Sequence, residues 1–174
     1  MDDALQVVFE MNARVWAALK SALEDLTEDE IHWRPLPQAN TIGIIVRHLR
    51  IESEWHLDSL ERGQPMPTIA VAPSQEAIDA ISDDFEKNFK KLEELLPQFL
   101  ETLRTTDLNT LRERTAAAYG KFSESEERTH LLGYHQAIHL AMHCGQIRTI
   151  RNLYRKTRGE PARFFPDNPT YPSA

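Results

Sequence analysis

The chain has 174 residues, with 27 acidic against 20 basic side chains and a formal net charge of −7. That length is enough to bury a core without disulfides or other staples, so one compact domain over 1–174 is expected. The negative field repels phosphate backbones, which argues against nucleic acid as a partner.

A hydrophobic fraction of 41% is ordinary for a globular protein and too high for a disordered one. The lone cysteine, Cys144, excludes an internal disulfide framework and fits a reducing, cytoplasmic compartment. The chain opens MDDALQVVFE, acidic where a signal peptide needs basic residues. No apolar run approaches the roughly 18 residues of a membrane span, so neither secretion nor membrane insertion is expected.

Leu5, Val8, Phe9, Val15, Trp16, Leu19, Leu23 and Leu26 recur at spacings of three and four, predicting an amphipathic helix from about Asp3 to Leu26. Residues 27–38 carry Pro35 and Pro37 and read as an irregular connector anchored by Trp33. A second helix is capped by Asn40 or Thr41 and runs until Gly63 and Pro65 stop it. Ser74 offers the next cap, and Ile78, Ile81, Phe85, Phe89, Leu92, Leu96, Phe99 and Leu103 trace one stripe along a third helix. Pro97 predicts a kink or break in it.

Residues 105–122 are the least patterned and read as a turn of helix followed by an extended stretch. Ser123 with Glu126 fits a capping box, opening a fourth helix that lasts until Gly159 and Pro161. The tail from 160 to 174 is proline-rich and irregular, with Phe164 and Phe165 as its attachment points. The basic cluster of Arg148, Arg151, Arg155, Lys156, Arg158 and Arg163 reads as cations offsetting the macrodipole at the end of that helix. Four long helices without an alternating strand pattern, joined by connectors of about 10 to 20 residues, predict an all-α four-helix bundle.

The fourth helix places His135, His139 and His143 at i, i+4 and i+8. At about 100° per residue successive members differ by about 40°, so all three share one face, together with Leu132, Met142, Gln146, Ile150 and Leu153. Two imidazoles four apart reach one ion. Burying unpartnered imidazoles is costly, which favours metal ligation over a set of histidines that merely satisfy one another.

A third ligand must come from another helix, and His48 qualifies because Ile44, Ile45, Ile51 and Trp55 share its sector. Glu52, one turn on, is a candidate fourth ligand, orienting residue or general base, or else a partly exposed charge. His32, His56 and His130 fall in a loop or off the apolar stripes and read as bystanders. Cys144 points about 100° away from His143 and reads as packing. The strip Ala137, Ala141 and Gly145 permits close helix approach and suggests a homodimer.

Two segments, NTIGIIVRHL and HLAMHCGQI, together with EDEIHWRPLPQANTIG before the second helix, resemble the DinB/YfiT-like superfamily of four-helix-bundle metalloproteins. The second matches that family's H-x-x-x-H-x-G-Q-I pattern. The resemblance implies a divalent metal on His48, His139 and His143, with His135 supporting the ligands from behind. It implies an enzyme acting on a small molecule, either a transferase dependent on a low-molecular-weight thiol or a metal-dependent hydrolase. A non-catalytic metal-binding or structural bundle is the alternative. Three imidazoles suit zinc, nickel or iron, and three protein ligands leave a coordination position open, as catalytic sites do.

Overall fold

The computed structural model describes residues 3–65, 84–119 and 132–163. The described chain is all-helical, with no strand among these residues: α1 (Asp3–Leu23), α2 (Glu28–His32), α3 (Ile42–Arg62), α4 (Phe85–Thr105), α5 (Leu108–Tyr119) and α6 (Leu132–Thr157). None of these helices is long and apolar enough to cross a membrane.

Each boundary has a local cause. α1 stops three residues short of the expected Leu26, because Asp25 adopts a left-handed conformation (φ 56°) that no helix continues through. Thr27 then caps α2, its hydroxyl accepting from the Glu30 amide at 3.3 Å. The segment expected to be an irregular connector therefore contains a helical turn, which buries Glu30 and Ile31. Trp33 follows, packed on the core and edge-on to Tyr154.

At the start of α3 the Thr41 hydroxyl accepts from the Ile44 amide at 3.1 Å. Gly63, in the left-handed region at φ 65°, ends that helix by donating its N–H to Ser59 O at 2.8 Å.

α4 runs through Pro97 as one helix, so the break, one of the two outcomes expected there, is absent. Pro97 lies on the exposed face of α4. Asp84 caps this helix; the expected start at Ser74, with Ile78 and Ile81, lies outside the described residues, as do Ser123, Glu126, His130, Phe164 and Phe165.

The stretch after residue 105, expected to be a turn of helix followed by extended chain, is helical from Leu108 to Tyr119 as α5. Asp107 caps it through the Thr110 amide at 3.0 Å, and Leu111, Thr115 and Ala118 bury one face of it. α6 ends in a double turn-back, with the Glu160 amide bonded to Arg155 O and the Gly159 amide to Lys156 O, around Gly159 at φ 75°.

The four long helices pack in a closed circuit: α1 against α6, α6 against α3, α3 against α4, and α4 against α1. One apolar cluster, built on Leu19, Ile42, Leu49, Leu92, Leu140 and Ile147, fills the half of the circuit near α2. A second, built on Leu5, Leu60, Phe99, Leu103 and Leu111, fills the other half under α5.

One member of the basic cluster does more than offset a macrodipole. Arg151 is 2% exposed; its Nε donates to Glu30 Oε1 at 2.7 Å, and the guanidinium also donates to the carbonyls of Ala22 and Glu24. It thereby closes the end of α1 and locks α2 to α6.

Candidate metal centre

α3 and α6 each present a row of side chains one turn apart. On α3 the row is His48, Glu52, His56; on α6 it is His135, His139, His143. Regular helix geometry repeats a direction every three to four residues, so each row needs only an i, i+4, i+8 spacing and an uninterrupted helix. Both helices supply that, and their mutual packing sets the rows face to face.

His48, His139 and His143 converge. The Nε2 atoms of His48 and His139 lie 2.9 Å apart, and those of His143 and His139 lie 3.0 Å apart. One ligand atom from each of the three falls within 4.8 Å of the others. The rings meet edge to face, with centroids 4.6 to 4.9 Å apart, so three nitrogens and not three ring faces point at a common centre.

The electrostatics suit a cation. Burial, reinforced by His143, lowers the His48 pKa to about 4. Burial and then four neighbouring imidazoles lower that of His139 to about 3. Burial also lowers His143, opposed by its bond to Gln146. All three are therefore neutral at pH 7 and offer lone pairs, the form that ligates a metal. His143 Nδ1 lies 2.8 Å from Gln146 Oε1. An amide oxygen only accepts, so Nδ1 carries the proton and the Nε2 lone pair is left facing the centre. A tetrahedral zinc with nitrogens at about 2.0 to 2.1 Å spaces its ligands about 3.3 Å apart. The two separations seen here are within a few tenths of that, and the donor set fits a divalent ion.

The remaining candidates fall around this centre. Glu52 is half-buried one turn beyond His48, outside the three-histidine cluster, and desolvation raises its pKa. His135 also lies outside the cluster, edge-on to His56 with ring centroids 5.2 Å apart. Cys144 is buried among the apolar residues of α6, as expected, and burial raises its thiol. The expected small-residue strip divides: Ala137 is buried, whereas Ala141 and Gly145 are exposed.

His56 corrects the sequence reading. It is fully buried, its Nδ1 donates to Glu52 O at 2.7 Å, and its ring stacks 6.4 Å from that of His139. The apolar stripe missed it because α3 is covered by α4, α5 and α6 together, which buries a wider arc than one stripe. The signal that finds it is the i, i+4, i+8 row on α3 mirroring the row on α6. His32, by contrast, is on the surface beside Glu28.

A groove of about 590 Å³ opens beside the centre, lined by Pro35, Ile45, Met142, Gln146, Ile150 and Leu153 among others. Gln146 belongs both to its wall and to the hydrogen bond on His143.

No curated protein and no solved structure shows significant similarity to the chain. Residues 8–156 match the family model described as mycothiol S-transferase, a family within the DinB/YfiT-like superfamily. That match runs from within α1 through nearly all of α6, including both histidine rows, and so the chain belongs to the mycothiol S-transferase family.

Proposed function

We propose that this protein is a metal-dependent S-transferase that joins a low-molecular-weight thiol to an electrophilic small molecule. The observation that carries the reading is the convergence of three neutral imidazole Nε2 atoms from two helices beside an apolar groove. The family supports thiol transfer over hydrolysis. The circuit of four long helices supports reading the fold as a single four-helix bundle with α2 and α5 as additions to its connectors.

His48, His139 and His143 would hold the ion. When bound, a divalent cation supplies positive charge that lowers the pKa of a thiol at the open position. Glu52 is the candidate general base: desolvation raises the proton affinity of its carboxylate, which favours its taking the thiol proton. The sulfur then forms a bond to the electrophilic carbon, the bond from carbon to leaving group breaks, and the leaving group departs with its electron pair. Thiol and electrophile thus give a thioether, a proton and the leaving anion. Ile45, Met142 and Leu153 in the groove would hold the apolar body of the electrophile.

The test is conjugation of mycothiol to a haloalkyl fluorogenic electrophile by untagged protein, before and after chelation and after reloading with zinc, nickel or iron. Product formed only by reloaded protein, with glutathione and cysteine as comparison thiols, is the expected result. Equal turnover with and without metal would reject the reading.

A further inference from the structure

Two buried polar atoms beside the centre lack a hydrogen-bond partner among the described residues, and their needs are complementary. They are His139 Nδ1 and Gln136 Oε1. Gln136 is fully buried on α6, three residues before His139, and its Nε2 donates to Ser53 Oγ on α3 at 2.9 Å.

His139 turns Nε2 toward both His48 and His143. An imidazole that gives its Nε2 lone pair to a cation carries its proton on Nδ1, and that N–H needs an acceptor in a place shut off from bulk water. An amide oxygen is such an acceptor. The neighbouring histidine shows the arrangement already made: His143 Nδ1 donates to Gln146 Oε1 at 2.8 Å, again three residues away on α6. The same helix therefore carries one glutamine for each of its two converging histidines, at i−3 for His139 and at i+3 for His143. Ser53 fixes the nitrogen end of the Gln136 carboxamide and leaves the oxygen as the end without a donor.

We infer that Gln136 is a positioning residue of the centre, its Oε1 accepting the His139 Nδ1–H through one buried water. This holds His139 in the tautomer whose Nε2 lone pair faces the ion. The inference rests on the metal-dependent reading above and adds to it the group that orients the most crowded of the three imidazoles.

Zinc affinity by competition with a chromophoric chelator tests it, on full-length wild type, Gln136→Leu, Gln136→Glu and Ser53→Ala. Loss of an outer partner of a metal-bound histidine costs about 10- to 100-fold in affinity, and that is expected for Gln136→Leu. Gln136→Glu keeps an acceptor oxygen and is expected to escape that loss, binding less than about 10-fold more weakly than wild type. Ser53→Ala, which leaves the oxygen but frees its other end, falls between them. Imidazole ¹⁵N NMR of the zinc-loaded proteins is the second readout: a slowly exchanging His139 Nδ1–H in wild type and Gln136→Glu, lost to exchange in Gln136→Leu. Should Gln136→Leu keep both wild-type affinity and that proton, the assignment of Gln136 is overturned while the metal centre stands. Should wild type itself bind no zinc, nickel or iron, the metal reading falls and this inference with it.

Discussion

Replacing Glu30 by alanine should destabilise the protein more than any surface change, although no pattern in the sequence marks that position. Arg151 is 2% exposed and Glu30 5%, and the guanidinium is held by one carboxylate oxygen and two main-chain carbonyls at the end of α1. Removing the carboxylate leaves an uncompensated buried cation, which costs about 3 to 5 kcal/mol. For a chain of this length that corresponds to a fall in Tm of about 10 °C. The pair Glu30→Leu with Arg151→Met removes both charges. It should cost about 2 kcal/mol or less, mainly from the Ala22 and Glu24 carbonyls left without their donor. A double-mutant cycle by urea denaturation at pH 7 should therefore give a coupling of about 2 kcal/mol or more. Metal content should not change, because Arg151 lies about 12 Å along α6 from His143. A cost for Glu30→Ala below about 1 kcal/mol, or strict additivity in the cycle, would refute the argument.

His48→Ala, His139→Ala and His143→Ala should each abolish stoichiometric metal, measured by elemental analysis on untagged protein, whereas His135→Ala should only weaken it, by about 10- to 100-fold. Glu52→Gln should keep its metal and lose about 10²- to 10⁴-fold in kcat for conjugation; wild-type activity should decline as pH falls through the raised Glu52 pKa. The metal-free protein should lose stability on acidification: His56 has its pKa lowered to about 4, so below pH 6.5 the unfolded chain takes up a proton that the folded one refuses. That amounts to about 2 kcal/mol between pH 7 and pH 5, and His56→Gln should flatten the slope in chelated samples. The homodimer suggested by the strip Ala137, Ala141 and Gly145, of which Ala141 and Gly145 are exposed, predicts sedimentation as a dimer at tens of micromolar, and a monomer there would reject it.

What the sequence made legible was whatever repeats along one helix. Thr41 and Gly63 bracket α3, and His139 and His143 share a face by spacing alone. Features that depend on which helices meet were not readable in this way. His56 seemed off the stripe because a single hydrophobic arc assumes one packing partner, and α3 has several. Arg151 looked like one cation among six, because its partner is Glu30, 121 residues away. α5 was missed because Asp107 as its cap and Leu111, Thr115 and Ala118 as its buried face form too short a pattern to stand out. Pro97 misled in the other direction, since a proline on a solvent-facing turn costs a helix one bond without ending it.

The same contrast explains how the centre is built. Each histidine row is fixed by its own helix, but convergence of the Nε2 atoms to within about 3 Å requires α3 and α6 to hold their register. Packing supplies that register: Ile45 and Leu49 of α3 share one buried apolar cluster with Leu140, Cys144 and Ile147 of α6, and the Gln136–Ser53 hydrogen bond ties the two helices together. The apolar core thus holds in place a set of donors that would otherwise relax apart. An ion bound at a site organised in this way would spend little of its binding free energy on rearrangement, so zinc affinity should respond more to the outer groups that fix ring orientation than to the overall stability of the helices.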